Sequence, residues 1–293
     1  MLNRVSVVAV GLLGAALVFP ANPRAQDGAT QTWPDPVLLR EPVAEEDKKP
    51  APRRSLAGAW GSREGNQAKG VQLRPYSATP IEPLPFTPYG LEVYESYKPL
   101  EGAPPRAVPP AEGNDPRARC EPLGFPRHNH YDLAVQILED EHKVAILYGY
   151  DQRWRVIWTD GRSLPRLVDG GVEIDGQYWA SRWFGYSVGR WVDDYTLEVQ
   201  TVGMMPEDKV WLDNIGRPIS DQLRVTETFR RVDLDTMVWS ETIEDPKMYT
   251  RPWQTMELSM TLQDPRTDAM NRICSPGEIE AYNAIYGNAA SGR

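Results

Sequence analysis

This chain has little with which to bind a metal: 3 histidines and 2 cysteines among 293 residues. Two thiols cannot build a structural zinc site without histidines at ligand spacing, and the remaining ligands would have to be carboxylates. Basic charge is also short, with 32 Lys and Arg against 41 Asp and Glu and a net charge of -9. That balance argues against nucleic acid or an anionic membrane as the main partner. No Walker loop, Gly-rich nucleotide turn or βαβ spacing is present, which counts against a Rossmann-type domain, and no cofactor is implied. Gly185-Tyr186-Ser187-Val188-Gly189 carries the letters of a nucleophile elbow. The elbow needs a strand-to-helix turn, however, and Arg190-Trp191 and a further β run follow instead.

Only one long apolar run exists, from Val5 to Phe19, preceded by Asn3 and Arg4 and followed by small residues up to Ala25. A basic start, an apolar core too short to span comfortably and a small-residue cleavage zone define a secretory signal peptide over 1–25. The mature protein is therefore expected to be exported, periplasmic or secreted, with no membrane span. In an oxidising compartment Cys120 and Cys274 are expected to form a disulfide, closing a loop of about 150 residues.

What the chain does have is alternation. From Trp158 to Trp253, aromatic and β-branched residues alternate with polar ones between Asp-Gly, Asp-Asp and Asp-Pro punctuation. Period-two alternation between turn signals is the mark of a half-buried antiparallel sheet. Strands are predicted at 131–138, 142–150, 154–159, 184–191, 195–202, 222–231, 236–244 and 253–262, with a short entering strand at 56–60. Short polar loops between them imply meander pairing. The fold class is mainly β: an antiparallel, strongly curled sheet or lipocalin-like barrel with one or two short peripheral helices. Thr87-Pro88 signals one helix, ending before Pro99, and Ser275-Pro276-Gly277-Glu278 signals another over 276–286. Residues 26–54, rich in proline and charge, read as a flexible arm, and 55–293 as a single β-rich domain. Within it, a proline-rich segment at 61–127 wraps the sheet at 131–262.

Several blocks together carry a resemblance. They are Asn114-Asp115-Pro116 with Cys120-Glu121-Pro122-Leu123-Gly124-Phe125-Pro126-Arg127, then Trp158-Thr159-Asp160-Gly161-Arg162, Gly185-Tyr186-Ser187-Val188-Gly189, Trp211-Leu212-Asp213, and Asp245-Pro246-Lys247-Met248-Tyr249-Thr250 with Pro252-Trp253. The chain resembles, over roughly 85–286, a group of exported bacterial proteins plentiful in soil-type genomes, to which no secure activity attaches. The resemblance implies export and a β-rich body. One position departs from the pattern: Ile219 stands where that group commonly has histidine.

The most pointed chemistry lies in the hairpin 222–244. Glu227 shares a face with Leu223, Val225 and Phe229, and Glu241 shares one with Met237, Trp239 and Ile243. A three-residue loop at 233–235 would set Glu227 directly opposite Glu241; a two-residue loop would not. Two carboxylates in apolar surroundings push one pKa upward, as general acid/base work requires. The competing reading pairs each with an arginine, Arg190, Arg224 or Arg231. Arg127-His128-Asn129-His130 would place His128 and His130 on one side of a strand, a weak metal candidate with too few further ligands. A loop carrying Trp211 and Asp213 over a sheet mouth would present them to a ligand, with Tyr186 and Arg190 below. Equally, Trp211 plugs the barrel end and Asp213 caps a turn.

Two functions follow as expectations. One is a binding module, with Tyr186, Arg190, Trp211, Arg224, Trp239 and Glu241 holding an apolar or aromatic small molecule in an aromatic-lined cavity. The other is a hydrolase or isomerase using Glu227 and Asp213 as catalytic acid/base groups in the same cavity. A structural envelope or interaction protein is a third. A lumen filled by side chains would count against the first two.

Overall fold

The alternating runs become strands, and the strands close on themselves. The computed structural model describes residues 43–61, 67–68, 71–72, 83–100, 106–109, 112–130, 134–149, 151–206, 208–265, 267, 273–282 and 284. The chain divides into two units, 1–33 and 34–293. The first, with the signal peptide expected at 1–25, lies outside the described residues, as do 26–42 of the arm, much of 61–85 and most of the second helix beyond 282.

In chain order the strands are β1 (Gly58–Gly61), β2 (Gln67–Ala68), β3 (Val71–Gln72), β4 (Ala134–Glu139), β5 (Lys143–Tyr148), β6 (Arg153–Trp158), β7 (Arg166–Val168), β8 (Gly171–Ile174) and β9 (Gln177–Ala180). They continue with β10 (Tyr186–Trp191), β11 (Thr196–Val202), β12 (Arg224–Arg231), β13 (Thr236–Glu244) and β14 (Trp253–Leu262). Nine of them form a closed barrel in the order β1-β14-β13-β12-β11-β10-β6-β5-β4, with β1 pairing back onto β4. The expected sheet is corrected in one respect: it is not antiparallel throughout. Strand direction can alternate around a closed ring only if the number of strands is even. With nine, one pair must run parallel, and that pair is β6 with β10. Its ladder holds two residue pairs, Ser187 with Ile157 and Val188 with Trp158, against six between β10 and β11.

The seam arises because 166–180 is itself a small sheet, β7-β8-β9, inserted between β6 and β10. Its turns are two-residue loops at Asp169-Gly170 and Asp175-Gly176. Asp175 and Gly176 both have positive φ, 49° and 76°, the backbone an Asp-Gly type I′ hairpin requires. These strands were not predicted, because β9 is exposed along its whole length and shows no buried alternation.

The barrel interior is a packed core. Val144, Ile146, Leu197, Val199, Val225, Phe229, Met237 and Ile243 point inward and are buried. Trp60 closes beside them, its indole N–H donating to the Leu56 carbonyl at 2.8 Å. In β14 the inward phase changes from odd (Trp253, Thr255) to even (Leu258, Met260). A register shift between Glu241 and Thr242 accounts for it: Glu241 pairs with 256 and Thr242 with Gln254, leaving Thr255 extra, as in a β-bulge.

Outside the barrel, α1 (Pro88–Ser96) begins as expected, with the Thr87 hydroxyl accepting from the Gly90 N–H at 2.9 Å. It packs close: a Cβ on Gly90 would stand 2.1 Å from the Met248 carbonyl oxygen. The second helix, α2, is described over Pro276–Tyr282. Just before it Cys274 is bonded to Cys120, with Cα atoms 5.4 Å apart. The described part of the arm lies against the barrel, the Leu234 and Asp194 loops exchanging backbone hydrogen bonds with Lys49 and Arg54.

Candidate functional site: a buried polar network and an aromatic recess

Glu227 and Glu241 stand directly opposite each other in the β12–β13 ladder, and both are fully buried. Their partners are not the arginines proposed from sequence. Arg155, inward-facing on β6, reaches across the seam with Nη1 3.0 Å from Glu227 Oε1 and Nη2 2.5 Å from Oε2. The same guanidinium donates from Nε to Ser187 Oγ at 3.0 Å and from Nη2 to Thr201 Oγ1 at 2.8 Å. Glu227 also accepts from the Trp239 indole at 3.2 Å and from Asn129 Nδ2 at 3.0 Å. Asn129 bridges to Glu241 Oε2 at 2.8 Å and accepts from the Tyr148 hydroxyl at 2.7 Å. His130 completes the set, with Nε2 2.9 Å from Glu241 Oε1 and Nδ1 3.1 Å from the Leu212 carbonyl. Thr255, the bulge residue, donates its hydroxyl to Glu241 Oε1.

The two carboxyls are driven in opposite directions. Burial pushes the Glu227 pKa above its ordinary value, and the charge and hydrogen bonds of Arg155 oppose that without reversing it. Burial alone would also raise Glu241, but the charge and hydrogen bond of His130, with donors from Thr255 and Asn129, carry it below. Burial would lower His130; the Glu241 carboxylate more than offsets that and raises it. Burial also pushes the Tyr148 hydroxyl well above the usual range. This is an internally satisfied network, with every oxygen of Glu227 and Glu241 held by a protein donor.

The histidine segment is corrected as well. Residues Arg127–His130 form a 3-10 turn rather than a strand, so His128 and His130 do not share a strand face. His128 is buried with its ring against Tyr148 and Phe184, at 4.6 and 5.4 Å between centroids. Among the described residues no group of three His, Cys, Asp or Glu is placed to hold a metal ion. Among the described residues Ser187 gains no base: its hydroxyl meets Arg155 and Thr201.

The segment bearing Trp211 and Asp213 closes onto the wrapping chain. Trp211 is buried and stacked on Tyr97 with ring centroids 4.4 Å apart. Asp213 accepts from the backbone N–H groups of Ile215 and Arg217 at 3.1 Å each and pairs with the Arg217 guanidinium at 2.7 Å. Beside it Arg127 is clamped by Asp115 at 2.8 and 2.7 Å and by Asn214 at 3.0 and 2.9 Å. This buried cluster welds Asn114-Asp115-Pro116, Phe125-Pro126-Arg127 and Trp211-Leu212-Asp213-Asn214 together. Arg190 is exposed, 3.6 Å from Glu198, and Arg224 is half-buried at the start of β12. Arg231 turns to the carbonyls of Ser55, Asp233 and Leu234.

Open space lies at the seam. Where β6 and β10 diverge from their two paired residues, a recess of about 450 Å³ opens on the wall. Trp154, Trp158, Trp183, Phe184 and Tyr186 line it, with Arg153, Arg155 and Arg182, and Arg155 and Ser187 are its link to the buried network. Gly185 shapes it: φ is 60°, its N–H donates to the Arg182 carbonyl at 3.1 Å, and a Cβ would stand 2.7 Å from the Val202 carbonyl oxygen. Of the ligand-binding residues expected from sequence, Tyr186 alone lines this recess; Trp239 and Glu241 belong to the interior. Arg155 could have been found, since it breaks the alternation of Arg153–Trp158 by sharing the face of Ile157, as Glu227 breaks that of its own strand.

Comparison with known proteins returns no match: no family model, no curated protein and no solved structure matches this chain.

Proposed function

We propose that this protein is an exported small-molecule binder whose ligand, apolar or aromatic, sits in the wall recess at the β6–β10 seam rather than in the lumen. The observation that carries the reading is the recess lining: five aromatic side chains around about 450 Å³, the size range of small-ligand sites, at the one parallel ladder of the barrel, two residue pairs long. The packed interior leaves the lumen to side chains, and the carboxylates of Glu227 and Asp213 accept their hydrogen bonds from internal donors. Export is supported by the apolar run at 5–19 and by the Cys120–Cys274 disulfide, a bond that persists in oxidising compartments. Among the described residues no helix is long and apolar enough to cross a membrane.

Titration with the neutral fluorophore N-phenyl-1-naphthylamine tests the reading. Saturable binding is expected, weakened roughly tenfold by Trp154→Ala, which removes a 67 % exposed ring of the lining at little cost to the fold. Absence of saturation, or equal binding by Trp154→Ala, overturns it.

A further inference from the structure

We infer that the ligand carries one anionic group beside its apolar or aromatic body, and that Arg182 is the residue that reads that charge. The inference rests on the recess being a binding site.

Among the described residues, three guanidinium groups and no carboxylate line the recess. They are not equivalent. Arg155 is turned to the interior, where Glu227, Ser187 and Thr201 take its N–H groups. Arg153 pairs with Asp151 at 2.7 Å. Arg182 is exposed, its Cζ lies 4.2 Å from the centroid of the Tyr186 ring, and among the described residues no carboxylate pairs with it. A guanidinium held over an aromatic ring still has N–H groups directed away from the ring, and a carboxylate or sulfonate can accept from them.

The recess therefore presents aromatic walls with one unmatched positive charge at their side. In a chain of net charge -9 such a lining is not explained by a general basic surface. A neutral ligand leaves the Arg182 charge unmatched, and a cationic one is repelled by it. The complement is a monoanion with an apolar or ring body, such as an aromatic or medium-chain carboxylic acid. Its rings lie against Trp154, Trp183 and Phe184, and its acid group meets Arg182.

The test compares two fluorophores with the same ring system: N-phenyl-1-naphthylamine, which is neutral, and 1-anilinonaphthalene-8-sulfonate, which carries one sulfonate. The full-length protein is expected to bind the anion roughly tenfold more tightly than the neutral probe, as one charge-assisted pair allows. Arg182→Gln is expected to bring that preference close to one, the sulfonate probe losing roughly tenfold more affinity than the neutral probe. Equal binding of the two probes by the natural protein, or a preference that survives Arg182→Gln, overturns the inference. If the neutral probe still saturates in a Trp154-dependent way, only the anion assignment falls. If neither probe saturates, the binding reading falls with it.

Discussion

Replacing Arg155 by methionine is the most searching perturbation of the interior. Glu227 is fully buried, and Asn129 and Trp239 both donate to its Oε1, so removal of Arg155 strips Oε2 of the Nη2 bond and leaves a carboxylate without a counter-charge. Breaking one side of a buried pair in this way costs about 3–5 kcal/mol, because the remaining charge stays desolvated. The loss depends on pH with a definite sign. Burial already holds the folded-state pKa of Glu227 above its ordinary value, and Arg155 is the main group opposing that rise. In Arg155→Met the folded-state pKa rises further. A carboxyl raised on folding contributes stability that is fully present below its unfolded pKa, about 4.3, and is lost as pH climbs through the folded value. The variant should therefore lie closest to the natural protein near pH 4 and fall furthest behind near pH 8. Urea unfolding followed by tryptophan fluorescence, with the disulfide intact, measures both points. Adding Glu227→Gln to Arg155→Met should recover most of the loss at high pH, since no bare charge then remains. A deficit under about 1 kcal/mol at pH 8, or one that is flat or larger in acid, would refute the reasoning.

Two further outcomes follow from the same network and the disulfide. The His130 imidazole should titrate above the ordinary value of about 6.5, because Glu241 stabilises its charged form. The pair's contribution is then full between the unfolded pKa values of the two groups, about 4.3 and 6.5, and lost below the folded Glu241 value and above the folded His130 value. NMR of the ring protons checks this, and a midpoint below 6.5 contradicts it. Reduction of Cys120–Cys274, which spans 154 residues, should cost up to about 5 kcal/mol by loop entropy. The thermal midpoint with and without reductant reports it; an unchanged midpoint shows that the bond constrains nothing.

The strands of the barrel were legible because each has a buried face and a wet face, and alternation records that directly. Leu197, Val199 and Thr201 face inward between half-buried partners, as do Met237, Trp239, Glu241 and Ile243. The opposition of Glu227 and Glu241 was legible only as one of two outcomes, since a three-residue loop gives it and a two-residue loop does not; the structure has the former register. What the sequence did not disclose is non-local. That Arg155 pairs with Glu227 depends on β6 and β10 lying side by side, and strand order leaves no trace in a local pattern. The recess was missed for a related reason. Its lining comes from the ends of two strands brought together by an insertion of weakly patterned strands, β7 to β9, whose only strong local signals are Asp169-Gly170 and Asp175-Gly176.

The buried acids and the recess belong to one structural problem. An odd number of strands forces a parallel pair, and here that pair is two residues long, so backbone hydrogen bonds alone hold β6 to β10 weakly. Arg155 supplies what the ladder lacks. From β6 it bonds Ser187 on β10, Thr201 on β11 and Glu227 on β12, so one side chain ties four successive strands across the seam. Such a tie needs an interior anion to neutralise the guanidinium, and Glu227 is that anion. Glu227 in turn faces Glu241 across the ladder, which is tolerated because His130 and Thr255 hold the second carboxylate and Asn129 bridges the two. The departures from alternation at positions 155, 227 and 241 are thus mutually required. Outside this tie the strands part, and the aromatic side chains of the parted ends are left facing the recess. A ligand there would press on Trp154 and Tyr186, on the two strands that Arg155 joins, so binding should stiffen the same seam that the network closes.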